Sequence, residues 1–487
     1  MKSMSICFLI LVLLSCFVDS FFGQNVKVDD RKELSQYGIT WTFDKPTKSG
    51  QFITGDWWII GPVTVTKITP APGKGSSEGV KIEKGIYGDT SLTVNSDMRN
   101  GSMVVNRCGD NQGYDSRSVT YDASLSLKLP YNLEADRSLI SSISNTSFPV
   151  ESFSKNISVS EKEKKSQSAL KAAAVLTCLS EEPPPDAFRP AYVGKEKVIY
   201  EEKDINWDLL PKLSPAGSVP SWPEYERYFQ RPWIDHICNW GYDEIVPNEN
   251  MPNYGREHSR MVSTSSLMLC VNESKEKKRK LLIGLVQYGL DISGAAKNGG
   301  VWNMGGGISM GRKWPVLFAS IMLADPKIAE FPASAVFHED VQTYYGKGWF
   351  GQTALYQMVM HHGPRPTYEN KRPEQLTNQW DKLSDAYRMT NSVAWVGTAL
   401  AARYMKAIKL WGHDAYFDYI DRWMRPDDPY KSARGSHPRP ALETTTYDPF
   451  VTSMWQTHRN NAPEQEMSGK NMFWDPLKSC WVANSKP

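Results

Sequence analysis

Residues that could transfer protons lie close together in the segment FHEDVQTYY, which runs from Phe337 to Tyr345. One imidazole, two carboxyl groups and two phenols are found there. His338 titrates near neutral pH, and Tyr344 or Tyr345 could relay a proton. The segment lacks the HExxH spacing of a helical zinc site, so we expect acid–base chemistry without a metal. The alternative is a surface loop with incidental polar residues.

A glycine-rich stretch from Gly299 to Pro315 has a composition that favours anion binding. It reads GGVWNMGGGISMGRKWP, with six glycines, two tryptophans and the adjacent Arg312 and Lys313. Glycines let a backbone approach a ligand closely, and a helix that follows offers unpaired N–H groups to a negative charge. Trp302 and Asn303 belong to the same predicted site. The alternative is a long connection between packed helices, with the tryptophans filling the core.

Three further segments add cations, phenols and amides near predicted helix starts or in loops. They are NYGR, which precedes a helix, the loop HHGPRPTYENKR, and YRMTN, which opens a long apolar helix. Asn391 follows Tyr387 by four residues and so shares its helix face. Each loop could instead be a solvated connection. The candidate site residues in these segments are Asn253, Tyr254, Arg256, His362, Arg365, Tyr368, Tyr387, Arg388 and Asn391.

The elements that must position these residues change character near residue 205. Before it, short stretches that alternate or run apolar are separated by prolines and glycines, which predicts an antiparallel β-sandwich. The proline-punctuated segment 183–220 reads as a linker over the surface. The predicted strands cover residues 39–43, 57–60, 63–66, 124–129 and 170–179.

From Trp222 onward the periodicity is helical, and the connecting loops are long and polar. Long structured loops between helices are usually functional. We therefore predict an incomplete (α/α) toroid of helical hairpins over 206–487, after a β-sandwich domain with linker over 25–205. The predicted helices cover residues 255–271, 275–297, 315–324, 355–360, 383–411 and 415–424.

Composition narrows the classes of function. The net charge is only +2 in 487 residues, so no global attraction to nucleic acid is expected. The chain holds 17 Trp and 22 Tyr, a richness that often accompanies carbohydrate binding because sugar rings stack on aromatic faces. A GxxxxGK[ST] phosphate loop is absent from the sequence, so a nucleotide-binding site of that type is not expected.

The N-terminal residues 1–24 predict a signal peptide. Lys2 precedes an apolar run over residues 6–18, and small residues follow up to Ser20. The run is too short for a membrane span, so we expect no transmembrane segment and a periplasmic or secreted protein. The sequence around Cys16 also resembles a bacterial lipoprotein cleavage box, which would anchor the chain through that residue.

The cysteines beyond the signal peptide are odd in number and widely spaced. Without a CxxC pair or a Cys/His cluster, a zinc knuckle is not expected. One disulfide is compatible with the sequence, whereas a disulfide-dense scaffold is not. The cysteines concerned are Cys108, Cys178, Cys238, Cys270 and Cys480.

Several motifs together resemble those of exported proteins from polysaccharide-degrading bacteria. These motifs are NYGRE at 253–257, GRKWP at 311–315, and YR at 387–388 leading into WVGTAL at 395–400. Such proteins are similar to the (α/α)-toroid polysaccharide lyases of the alginate and glucuronan lyase type. The resemblance covers roughly residues 220–425, together with the β-domain opening TWTF at 40–43.

The resemblance implies which residues carry the reaction. Lyases of this type place arginine or asparagine against a uronate carboxylate and use tyrosine and histidine as Brønsted acid and base. By residue type, Arg256, Arg312 and Asn391 would bind the carboxylate. The expected proton-transfer residues are His338 with Tyr344 or Tyr387, and Arg388 would hold the anion.

We therefore predict a polysaccharide lyase that cleaves an alginate-like or glucuronan-like polymer by metal-independent β-elimination, with no cofactor. A base removes the C5 proton, cations or hydrogen bonds neutralise the carboxylate, and an acid protonates the departing oxygen. Two alternatives stay open. One is a glycoside hydrolase that pairs Glu339 or Asp340 with Glu369 or Asp385. The other is a non-catalytic glycan-binding protein of the cell surface.

Overall fold

An N-terminal curled β-sheet is followed by a helical region in the computed structural model. The structure describes residues 27–74, 98–118, 120–145, 168–238, 242–250, 255–303, 307–358, 368–376, 379–425, 448–470, 472–475, 480–483 and 486. The predicted signal peptide and Cys16 lie outside these residues. No described helix combines the length and the apolar character required to cross a membrane.

The sheet is built from strands of the first 179 residues. Its order is β7-β9-β10-β3-β2-β4-β8, with β1 paired to β2, and a separate short pair joins β5 to β6. The strands are β1 (Asp29–Gln36), β2 (Ile39–Gln51), β3 (Trp57–Ile60), β4 (Val63–Thr69), β5 (Gly73–Lys74), β6 (Met98–Arg99), β7 (Ser102–Val104), β8 (Tyr131–Leu133), β9 (Arg137–Ser144) and β10 (Leu170–Leu179).

Strand alternation explains how the sheet buries one side. Trp41 and Phe43 of β2 point inward and have no exposed surface. Lys48, which lies later in the same strand, is exposed. The predicted strand over 170–179 is confirmed as β10. Its pairing with β3 is parallel, unlike the other pairs of this sheet, so the sheet is mixed rather than wholly antiparallel.

The strand predicted over 124–129 is wrong. A short 3-10 turn spans Ala123–Leu125, because Asp122 caps it by accepting a hydrogen bond from the Ser124 backbone at 2.8 Å. Leu125 is 39 % exposed, whereas Leu127 and Leu129 pack against the sheet core without forming a strand. Local side-chain capping has overridden a periodic pattern.

The segment predicted as a surface linker is packed into the protein instead. Phe188, Arg189 and Tyr192 are at most 1 % exposed. The Arg189 guanidinium donates to Asp56 at 2.7 Å and to both oxygens of Asp291 at 2.8 and 2.6 Å. Asp56 precedes a strand and Asp291 lies on a helix, so this arginine joins the sheet to the helical region through buried charges.

The helical region follows the predicted order of helices, with one exception and with one predicted helix divided in two. Its helices are α1 (Trp222–Phe229), α2 (Tyr242–Ile245), α3 (Gly255–Cys270), α4 (Lys275–Lys297), α5 (Lys313–Met322), α6 (His338–Gln342), α7 (Gln379–Tyr404), α8 (Ile408–Trp411), α9 (Asp414–Met424) and α10 (Pro449–His458). Two small antiparallel pairs accompany them, formed by β11 (Thr343–Tyr345) with β12 (Ala354–Tyr356) and by β13 (Met472–Asp475) with β14 (Cys480–Ala483).

The exception is the helix predicted over 355–360. Residues 354–356 form β12 instead, and Tyr356 faces Thr343 across the pair. The predicted helix over 383–411 is divided into α7 and α8, because the intervening Lys406 adopts a left-handed backbone with φ of 56°. A residue in that conformation ends a right-handed helix.

Close backbone contacts fix how the helices pack. A β-carbon on Gly397 of α7 would lie 2.8 Å from the Ser263 carbonyl oxygen of α3, and one on Gly289 of α4 would lie 2.1 Å from the Pro315 carbonyl oxygen of α5. Only glycine permits such approaches. Paired helices of this kind fit the predicted toroid, but neither the toroid nor the sandwich follows from these contacts, and both stay predictions.

Candidate functional site

Three polar side chains from different elements meet inside the helical region. Asn391 of α7 places its Nδ2 atom 3.2 Å from His338 Nε2 and 2.9 Å from the Tyr356 hydroxyl. His338 is the first residue of α6, and Tyr356 ends β12. All three have no exposed surface. We call them the amide–imidazole–phenol cluster.

The hydrogen bonds assign the protons in this cluster. An amide NH2 only donates and carries two hydrogens, so Asn391 serves both neighbours and His338 Nε2 must accept. A neutral His338 then carries its proton on Nδ1. Burial raises the pKa of Tyr356 well above its usual value, and the Asn391 hydrogen bond opposes this shift only in part. The cluster therefore holds an imidazole nitrogen that accepts a hydrogen bond and a phenol that keeps its proton.

The glycine-rich stretch contributes a tight turn that packs on this cluster. Gly307 has a φ of 90°, and a β-carbon there would lie 3.1 Å from Asn391 Oδ1 and 3.6 Å from Arg256 Cβ. Asn391 Oδ1 is buried and has no hydrogen-bond partner among the described residues. A buried acceptor left unpaired costs about 1–3 kcal/mol, so this oxygen is suited to receive a donor from a ligand.

Arg256 lies against the same glycine-rich turn as Asn391 and retains access to solvent. It is the second residue of α3, its side chain is 32 % exposed, and its Nε donates to Glu257 at 2.8 Å. The structure thus brings three predicted site residues together, namely His338, Asn391 and Arg256.

The adjacent Arg312 and Lys313 turn inward. Arg312 is fully buried, lies 3.1 Å from Asp235 Oδ1 and donates to the carbonyl oxygens of Ile308 and Met310. It therefore shapes the glycine-rich turn from inside. Lys313 is 5 % exposed and pairs with Asp340. Both cations are balanced by internal acids, which leaves neither side chain open to a ligand in this conformation.

Glu339, next to His338, is an acid with an altered protonation equilibrium. It is 2 % exposed and accepts a hydrogen bond from the Gly311 backbone at 2.6 Å. Burial raises its pKa to about 7, and the charge of Asp340 adds to the rise, whereas backbone N–H groups and Lys313 oppose it. A carboxyl group that can be protonated near neutral pH thus lies one residue from the imidazole.

Arg388 supports the cluster from behind. It is fully buried, lies 3.1 Å from Glu369 Oε1 and donates to the Tyr419 hydroxyl at 3.0 Å. Arg422 also pairs with Glu369, which in addition accepts a 2.8 Å hydrogen bond from the Tyr356 backbone. Arg388 therefore helps to hold β12 in place, and in this conformation it does not face solvent.

The other predicted site residues are spread around the cluster. Trp302 is 2 % exposed and stacks on Phe337 with ring centroids 5.3 Å apart, which is a packing role, while Asn303 beside it is half-buried. Tyr344 is 6 % exposed and contacts the Phe473 ring at 5.3 Å. The half-buried Tyr387 lies near enough to Tyr356 to raise its pKa. Asn253, Tyr254, His362, Arg365 and the side chain of Tyr368 lie outside the described residues.

Sequence reasoning missed Tyr356, which belongs to the cluster. The triplet ALY at 354–356 is apolar and was assigned to a helix, so its phenol had no apparent neighbours. Only the pairing of β12 with β11 places Tyr356 opposite Thr343 and therefore close to α6. A three-residue strand that exists only through its pairing with another short strand is too short to leave a periodic pattern in the sequence.

Within the part of the chain that the structure describes, no group of three or more His, Cys, Asp or Glu side chains is arranged to hold a metal ion. Comparison with known proteins found no matching family model, no matching curated protein and no matching solved structure. The chemistry of the amide–imidazole–phenol cluster is therefore the basis for a functional assignment.

Proposed function

We propose that this protein is a polysaccharide lyase that cleaves a uronic-acid-containing polymer by metal-independent β-elimination. The observation that carries the proposal is the buried Asn391 amide, which bonds an imidazole nitrogen and a phenol while its own oxygen lacks a described partner. In this proposal the imidazole acts as the base and the phenol as the acid, on either side of the Asn391 amide. A sugar hydroxyl would satisfy the free oxygen.

The proposed steps use the proton positions of the cluster. His338 Nε2, unprotonated in the neutral ring, removes the C5 proton of the uronate. Arg256 neutralises the adjacent carboxylate, which lowers the energy of the developing carbanion. Tyr356, whose burial keeps it protonated, donates its proton to the departing glycosidic oxygen. Tyr387 and Tyr344 remain the alternative phenols for that last step.

Substrate entry requires a change of conformation. His338, Asn391 and Tyr356 have no exposed surface, so the residues that cover them must move before a polymer can reach them. Binding must also exchange the Asn391–His338 hydrogen bond for contacts with the sugar. Hydrogen bonds in unliganded enzymes commonly rearrange when the reactive complex forms.

A hydrolase on the same scaffold is the second candidate, because Glu339 has the raised pKa of about 7 that a general acid needs. Its predicted carboxylate partners are less available. Asp340 pairs with Lys313, and Glu369 is enclosed by Arg388 and Arg422. The side chain of Asp385 lies outside the described residues. The lyase is favoured because the phenol and the imidazole are both hydrogen-bonded to the Asn391 amide.

The test is a product assay on purified alginate, glucuronan and a neutral glucan. A lyase yields an unsaturated sugar with ultraviolet absorbance from a uronate polymer only. Reducing ends without absorbance would support the hydrolase, and binding without either product would support a glycan-binding protein. Tyr356→Phe should abolish the absorbance, whereas Tyr345→Phe is the matched control, since its hydroxyl bonds Asp418 at 2.7 Å outside the cluster.

A further inference from the structure

Two cysteines from distant parts of the chain lie on adjoining backbone segments. Gly109 forms a parallel bridge with Ile237, through hydrogen bonds from Gly109 N to His236 O at 3.0 Å and from Cys238 N to Gly109 O at 2.8 Å. Cys108 precedes the first bridged residue and Cys238 follows the second. The side chains of alternate residues share one face of an extended backbone.

The C-terminal end of α4 holds both residues from a third side. Cys108 N donates to Asn298 O at 2.9 Å, and its Sγ lies 3.4 Å from Ala295 O. Cys238 Sγ lies 3.6 Å from Gly299 O. Each thiol also shifts the pKa of the other, as neighbouring side chains do. Three separate segments thus bring the two cysteines to one place in the fold.

We propose that Cys108 and Cys238 are an oxidisable pair that forms a disulfide between the β-sheet region and the helical region. The bond requires the sulfur atoms to approach to about 2.05 Å, which both side chains would reach by rotating away from their carbonyl partners on α4 and Gly299. Disulfides of this kind persist in the oxidising compartments that exported proteins enter.

The oxidant is an external disulfide, either of a small molecule or of a thiol oxidoreductase. The thiolate of half-buried Cys238 attacks one sulfur of that disulfide and expels the other as a thiol. Cys108 then loses its proton and attacks the Cys238 sulfur, which releases the second external thiol. Two cysteines are oxidised, and one external disulfide is reduced to two thiols.

The order of attack follows from the electrostatics of the pair. The neighbouring Cys108 thiol lowers the pKa of Cys238, and the same proximity together with burial raises the pKa of Cys108. The more exposed sulfur is therefore also the better source of thiolate.

The other described cysteines are placed differently. Cys178 is buried with its Sγ 3.7 Å from Leu133 O, Cys270 is buried in α3, and Cys480 is exposed in β14. Burial raises the pKa of Cys178 and of Cys270 to about 12, which makes both poor nucleophiles. Cys480 is accessible and serves as the control.

The test uses the full chain, purified without reductant and exposed to oxidised glutathione. Free thiols are alkylated in denaturant before digestion and mass spectrometry. We expect a peptide pair linking Cys108 to Cys238, lighter than the two free peptides by two hydrogen atoms, and alkylated Cys178 and Cys270. Alkylation of both Cys108 and Cys238 after this treatment would overturn the proposal, as would a link from either one to Cys480.

A stability measurement separates the bond from a packing role. The link closes a loop of about 130 residues, for which chain entropy predicts a large stabilisation. Reductant should lower the thermal midpoint of the wild-type protein by several degrees and leave that of Cys238→Ser unchanged. Cys480→Ser should respond as the wild type does. Equal responses of wild type and Cys238→Ser to reductant would contradict the proposal.

Discussion

Two buried polar clusters lie side by side in the helical region and balance their charges differently. In one, Glu369 is held between the guanidinium groups of Arg388 and Arg422. The other is the amide–imidazole–phenol cluster, whose members bond through the neutral amide of Asn391. The Tyr356 backbone connects them, because its N–H donates to Glu369 at 2.8 Å.

The difference shows which kind of cluster suits structure and which suits chemistry. Buried ions are costly to desolvate and tolerate no loss of a partner, so the charged cluster is fixed in one arrangement. A neutral histidine and a phenol can instead exchange protons and hydrogen-bond partners at moderate cost. We infer that the arginines hold β12 rigid so that the neighbouring phenol stays aligned.

The largest effect is expected from His338→Gln. Glutamine can keep a hydrogen bond to Asn391 but cannot accept a proton, so the elimination rate on a uronate polymer should fall by about 10²–10⁴-fold. The thermal midpoint should stay near that of the wild type. Absorbance kinetics and calorimetry measure the two quantities. Near-normal turnover in this variant would show that the cluster does not carry the reaction.

Glu369→Gln should damage stability rather than chemistry. It removes the carboxylate charge that two buried guanidinium groups contact, and breaking such a pair typically costs about 3–5 kcal/mol. Urea unfolding measures this loss. If the variant kept wild-type stability but lost activity, the roles assigned to the two clusters would be reversed.

Glu339→Gln should change how stability depends on pH. The pKa of Glu339 is raised from 4.5 to about 7 in the folded protein, so its stabilising contribution is complete below 4.5 and is lost as pH rises through 7. Between these values the wild type should lose stability relative to the variant, by at most about 1.4 kcal/mol per pH unit. Parallel unfolding curves of the two proteins across that range would refute a raised pKa.

The smallest effect is expected at an exposed ion pair. Lys409 and Glu466 lie 3.1 Å apart with side chains 70 % and 81 % exposed, so Lys409→Met should change the unfolding free energy by about 0–1 kcal/mol. Urea unfolding of Lys409→Met is measured and compared with urea unfolding of Glu369→Gln. A loss as large as that of the buried variant would mean that burial does not set the cost of breaking an ion pair here.

The sequence predicted elements whose signals are local. The sequence predicts helix α4 at Lys275–Lys297 because a long helical pattern there begins with a charged turn. In the structure, Ser274 caps this helix by accepting a hydrogen bond from Lys277 N. Strand β10 was favoured over a helix because it stops at a proline run. The association of His338, Asn391 and Arg256 was anticipated only through the resemblance to lyases.

The sequence did not reveal contacts between distant residues. Arg189 was placed in a surface linker because its acids, Asp56 and Asp291, lie 133 and 102 residues away. For the same reason Arg312 and Arg388 were predicted to bind substrate, since nothing near them in sequence shows that Asp235 and Glu369 meet them inside the protein. Side-chain type indicates that an arginine needs an anion but does not say which one.

The buried link through Arg189 has a consequence for how the chain is synthesised. A ribosome makes residues in order at about 5–20 per second, so Asp56 and Arg189 exist for several seconds before Asp291 is made. During that interval the arginine has only one of its two acids, because the helix that carries the second acid has not yet been made. We therefore expect a nascent chain that ends before α4 to be a target for chaperones and proteases.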